Sequence, residues 1–185
     1  MLELIIAVIL SSIPIMLAAT GELVVERSGV LNLGVEGMML MGAVIASITV
    51  ITTGSLFLAV IFGALSGLLT SIIFGFFALI LATNQVATGL ALTIFGTGLS
   101  GLIGADYVGK AIQRLETLNI PVLSKIPYLG QILFSHNLLV YFSFIIVFIV
   151  GWFLFKTKSG LILRAVGNNH DSAHALGYSV VKIRF

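Results

Sequence analysis

Five stretches of the chain carry almost nothing but apolar side chains, at residues 4–20, 37–52, 56–82, 86–105 and 138–155. Each is a continuous run without strict alternation, the pattern of a helix in lipid and not of a barrel strand. Polar punctuation separates the middle runs: Thr52, Thr53, Gly54 and Ser55, then Thr83, Asn84 and Gln85. No Asp, Glu, Lys or Arg occurs from Gly37 to Ala105, a stretch of 69 residues, where one bilayer crossing needs about 20. The pattern predicts an all-α, polytopic membrane protein with five transmembrane helices. The third run, 27 residues long, is predicted to tilt, kink or extend past the hydrocarbon. Pro14 predicts a kink in the first helix.

Composition narrows the class further. Charged residues make up 9% of the chain and the apolar set 59%, against about 25% charge in soluble domains. That excludes a water-soluble enzyme and a disordered chain. A pI of 9.1 resting on a net charge of only +2 excludes nucleic acid as a partner. With no cysteine there is neither a disulfide nor a thiolate metal site. The only early charge is Glu3, so the N-terminus lacks the basic start of a secretory signal and a retained helix is expected.

Charge also sets orientation. Five of the nine basic residues, Lys156, Lys158, Arg164, Lys182 and Arg184, lie in the last thirty positions, which predicts a cytoplasmic tail over 157–185. Counting back through five spans puts 106–137 outside with Lys110, Arg114 and Lys125, residues 21–36 inside with Arg27, and the N-terminus outside. Pro121 and Pro127 break the outer loop into turns expected to lie along the membrane surface.

Gly63, Gly67, Ser71 and Gly75 recur every four residues and form one small-residue stripe on the third span, with a weaker stripe at Gly96, Ser100 and Gly104. Such stripes let backbones approach closely. They are read as static helix packing, with a sliding or rocking interface in a transporter as the alternative. Polar chemistry concentrates at 21–37, which holds Glu22, Glu26, Arg27, Asn32 and Glu36. Glu36 is either a membrane-buried functional group or a first-turn residue complementing a helix dipole. Glu26 and Arg27 could pair locally. Asn84 and Gln85 either meet a polar solute or form a polar turn. His170 and His174 would share a helix face, yet with no thiolate and only Asp171 nearby a metal site is not expected. No Ser-His-Asp set, phosphate-cradling loop or paired intramembrane carboxylates emerges, so neither catalysis nor a cofactor is expected.

The tail from Ser159 to Gly177 reads as two short helical pieces interrupted near Gly167 and Asn168-Asn169. Asn169 or Asp171 can cap the second, which runs through Ala173 and Leu176 to a stop at Gly177. At under two turns it needs a partner to be stable. The chain is expected to be truncated after Phe185.

Two stretches point to one family. Glu26-Arg-Ser-Gly-Val-Leu-Asn-Leu-Gly-Val-Glu-Gly-Met-Met-Leu40 resembles the first signature of permease subunits of bacterial ABC importers for branched-chain amino acids, simple sugars and nucleosides, nearest the nucleoside and simple-sugar branch. Gly160-Leu-Ile-Leu-Arg-Ala-Val-Gly-Asn-Asn-His170, with Ala175-Leu-Gly177, is similar to that family's cytoplasmic coupling loop. Where the family's loop commonly carries Glu-Asn-Pro, this chain has Asn168, Asn169 and His170, and Asn169 can still cap. The resemblance covers the whole chain, and since family members are longer, 1–185 is expected to be an incomplete permease domain. It implies a multi-pass protein of the bacterial cell membrane, with no enzymatic activity of its own. Its implied partners are an ABC ATPase subunit, a second permease subunit, an extracytoplasmic solute-binding protein and the lipid bilayer, with no nucleic acid. On that reading Arg164, Gly167, Asn169, Ala173, Leu176 and Gly177 couple to the ATPase, Arg164 through charge and Leu176 as an apolar anchor. Asn32, Glu36, Asn84 and Gln85 are the candidate residues of the translocation pathway. The alternatives are a branched-chain amino acid permease of the same family, an ATP-independent transporter or channel, and a structural scaffold.

Overall fold

A computed structural model describes residues 1–112, 117–119 and 135–185. The proline-broken stretch with Pro121 and Pro127, together with Arg114 and Lys125, lies outside the described residues. Five helices among those described are long and apolar enough to cross a membrane, so the chain is an all-α, multi-pass membrane protein. They are α1 (Leu2–Arg27), α2 (Val35–Thr53), α3 (Leu56–Gly75, continued by a π-helical turn Phe76–Ile80), α4 (Gln85–Gly104) and α5 (Leu138–Lys156). Three short helices follow: α6 (Lys158–Asn168), α7 (His170–Ala175) and α8 (Val180–Arg184). Outside the helices, β1 (Thr117–Asn119) and β2 (Ser135–Asn137) pair antiparallel, with Leu118 opposite His136.

The polar punctuation does the work of helix starts. Ser55, Asn84, Asn137, Thr157 and Asn169 each accept a hydrogen bond from a backbone amide three residues on, which satisfies one of the amides left orphaned at a helix N-terminus. The third apolar run forms α3 and the π turn that continues it. With that turn the helix covers 25 residues, about 38 Å at 1.5 Å per residue, more than the roughly 30 Å of hydrocarbon. Helix α1 continues through Pro14 without a break.

Helix α2 is central, packed against α3 on one side and α4 on the other. Glycines set both contacts. Gly63 of α3 lies against Gly42 and Ala46 of α2, Gly67 of α3 faces Met38, and Gly75 lies under the Phe185 ring, while Ser71 bonds within its own helix to the Leu68 carbonyl. The closer approach is on α4, where a Cβ on Gly96 would stand 2.7 Å from the Gly37 backbone, and Gly89 abuts Leu33 and Gly34. Thus the stripe that looked weaker in the sequence makes the closer backbone approach. Helix α1 pairs instead with α5 and α6.

The turns alternate between two ends of the bundle. At one end the 28–34 linker, the 81–84 turn and α6–α8 meet: Leu31 binds Gln85, Gly167 abuts Arg27, and Arg184 binds Ser28. A small core of Val30, Phe74, Ala78 and Leu92 is buried there.

Candidate functional site

The linker between α1 and α2 is where helical hydrogen bonding stops, and its backbone groups must find partners elsewhere. Three side chains from two helices, α1 and α4, supply them. The Leu31 amide donates to Gln85 Oε1 (2.8 Å), the Asn32 amide to Glu22 Oε1 (3.1 Å), and the Thr93 hydroxyl donates to the Leu33 carbonyl (2.9 Å). Asn32 closes the turn on itself, its Oδ1 accepting from the Gly34 amide at 2.9 Å. Its side-chain amide reaches only the Met38 sulfur, at 3.8 Å. Asn32 and Ser28 are buried, so one side of this break is packed against protein.

The four candidate pathway residues divide accordingly. Asn32 and Gln85 belong to one hydrogen-bonded cluster through residues 31 and 32. Asn84 sits beside them as the cap of α4. Glu36 is exposed in the first turn of α2, the placement in which its charge complements the helix dipole. Glu22, one of the polar residues at 21–37, and Thr93 are linker partners that the sequence does not reveal, because the role of each depends on a partner 10 or 60 positions away. The Glu26–Arg27 pairing expected from adjacency does not form among the described residues, since successive helix positions point in different directions.

The tail forms a second functional region. Thr157 caps α6, whose buried Val166 faces the bundle. Gly167 meets the Arg27 and Gly29 backbone so closely that a side chain has no room there. Asn169, not Asp171, caps α7, with its Oδ1 3.0 Å from the Ser172 amide. At the other end Gly177 takes φ +86°, a left-handed conformation that favours glycine. There the Gly177 amide donates to the His174 carbonyl and the Tyr178 amide to the Ala173 carbonyl. Ala173 is buried while Leu176 is 78% exposed. Arg164 lies with its guanidinium 5.2 Å from the Phe155 ring centre. Of the six coupling candidates, then, Gly167 and Ala173 face inward, Asn169 and Gly177 shape α7, Arg164 lies against Phe155, and Leu176 projects.

A family model described as branched-chain amino acid transport system / permease component matches residues 4–185. The chain is 34% identical over 175 residues to a putative glucose ABC transporter permease protein, TsgC13, of Haloferax volcanii, covering 92% of this chain and 53% of that protein. It is 34% identical over 196 residues to the nucleoside ABC transporter permease protein NupC of Lactococcus lactis subsp. cremoris, covering 100% and 62%. To the guanosine ABC transporter permease protein NupQ of Bacillus subtilis it is 31% identical over 194 residues, covering 97% and 60%. The chain therefore spans between half and two thirds of the length of these relatives. No solved structure matches it.

Proposed function

The chain belongs to the family of branched-chain amino acid transport permease components, and from that premise we propose that it is the membrane-spanning part of an ATP-driven importer for a nucleoside or simple sugar. The relatives named as sugar and nucleoside permeases support this solute class over branched-chain amino acids. Residues 1–185 act within one permease domain, paired with a second permease subunit, served outside by a solute-binding protein and driven inside by an ATPase subunit. The tail 157–185 is cytoplasmic and 106–137 faces the outside.

One observation carries the coupling role. Helix α7 is six residues long, too short to persist alone, yet it is capped at Asn169, stopped at Gly177 and anchored inward by Ala173. Its Leu176 projects into open space. A short helix held rigid by its own chain, presenting an apolar tip, is suited to fill a cleft of an ATPase subunit and to carry that subunit's movement into α6. Gly167 and Arg164 tie the element to α1 and α5. At the same end of the bundle, the pathway runs beside the α1–α2 break, with Asn32, Glu36, Asn84 and Gln85 as its polar residues. Their amide and carboxylate groups match the hydroxyls and ring nitrogens of such solutes.

The test is co-purification of the full-length protein with its ATPase. Leu176→Asp is expected to abolish ATPase recovery and solute uptake while leaving the amount of permease in the membrane unchanged. Undiminished recovery with this variant overturns the coupling role.

A further inference from the structure

We propose that the groove between the end of α1 and α6 binds the phosphate of an anionic membrane phospholipid. The groove has a volume of about 450 Å³, lined by Glu26 and Arg27 of α1 on one side and by Leu161, Arg164, Gly167 and Asn168 of α6 on the other. Its height relative to the bilayer follows from the helices that build it. Arg27 is the last residue of α1, and α6 departs from α5 after the single residue Thr157. Both walls thus begin where membrane spans end, at the level of lipid headgroups.

Neither arginine is committed to a carboxylate: the ion pair found among the described residues is His170–Asp171. The Arg164 Nε is moreover buried with no hydrogen-bond partner. The guanidinium carbon lies 5.2 Å from the Phe155 ring centre, a cation–π contact, and the two terminal nitrogens form a donor pair of the kind that matches two oxygens of one phosphate. Glu26 offsets one of the two positive charges, and Lys156 and Lys158 stand nearby in the chain, so the surroundings remain cationic. Leu161 is 60% exposed and gives the groove an apolar wall suited to a glycerol backbone. Basic pockets at the ends of spans collect anionic headgroups in this way. A soluble phosphate would meet the same donor pair, but a lipid is already held at this height by its chains. The groove shares Arg164 and Gly167 with the coupling element, while Leu176 and α7, the part proposed to enter the ATPase, lie outside it.

The experiment is native mass spectrometry of the full-length protein purified in detergent, with phosphatidylglycerol or phosphatidylcholine added. Wild type is expected to retain phosphatidylglycerol selectively. Arg27→Gln and Arg164→Gln should each lower retention about fivefold, and the double variant about thirtyfold. Lys182→Gln, which removes an exposed cation outside the groove, should leave retention unchanged and so control for loss of charge alone. Equal retention of the two lipids, or unchanged retention by the double variant, overturns the proposal. Displacement of the lipid by millimolar inorganic phosphate, which marks a soluble anion, also overturns it. Loss of the adduct when the ATPase subunit binds does so too, since an acidic side chain of that partner would then be the occupant. Leu176→Asp should not alter lipid retention, which keeps this result independent of the coupling test.

Discussion

Asn32 replaces, within its own turn, the hydrogen bond that a continuing helix would have given Gly34. Because both residues are buried, water cannot take over when the side chain is lost. Asn32→Ala therefore leaves an orphaned amide at a cost of about 1–3 kcal/mol. The Leu31–Gln85 bond is equally short but exposed, and solvent can substitute for it. In thermal unfolding of the full-length protein in detergent, Asn32→Ala is expected to lower the midpoint clearly and Gln85→Ala only slightly. Equal shifts would show that the linker is solvated, not packed. The residues of this cluster differ in how far the sequence revealed them. Asn32 stood out as a polar residue in an apolar setting, whereas Glu22 and Thr93 acquire their roles only through contacts that no local pattern encodes.

At the scale of the element, the tail helix α7 is the most legible part of the chain. Its cap, its length and its glycine stop all lie within nine residues, Asn169 to Gly177, so local hydrogen-bond chemistry is enough to define it. The choice between Asn169 and Asp171 as cap was not local, because it depended on where α6 ends. The cap predicts a graded outcome. Asn169→Ala should cost about 1 kcal/mol of helix stability and reduce solute-stimulated ATP hydrolysis in the assembled transporter. Asn169→Asp, which keeps an acceptor at the helix start, should retain it. If alanine and aspartate behave alike, the cap is not what holds α7 in place. The α3 element shows the opposite case. Its excess length was visible in the sequence, but the π turn at Phe76–Ile80, which packs against α4 and α8, was not.

For the whole molecule, the crossing of α2 and α4 at Gly37 and Gly96 decides how the central helices fit. A Cβ at Gly96 would meet the Gly37 backbone, which cannot give way as a side chain would. Gly96→Ala is expected to cost about 1–3 kcal/mol through overpacking. Gly98→Ala, two residues along the same helix and with nothing within 4 Å of its Cβ position, should be neutral or slightly stabilising. Thermal unfolding of the two variants side by side checks this, and equal stability would mean that the helices slide apart without penalty. By itself the sequence determined the five spans and the shape of the tail helix. These depend on hydrophobicity and short-range hydrogen bonding, which act over a few residues. Only the tertiary structure decided that α2 sits between α3 and α4, which glycines touch, and that the α1–α2 break is secured from Glu22, Gln85 and Thr93. In lipid those choices turn on close van der Waals fit and on partners for buried backbone groups, and both are properties of pairs of segments far apart in the chain.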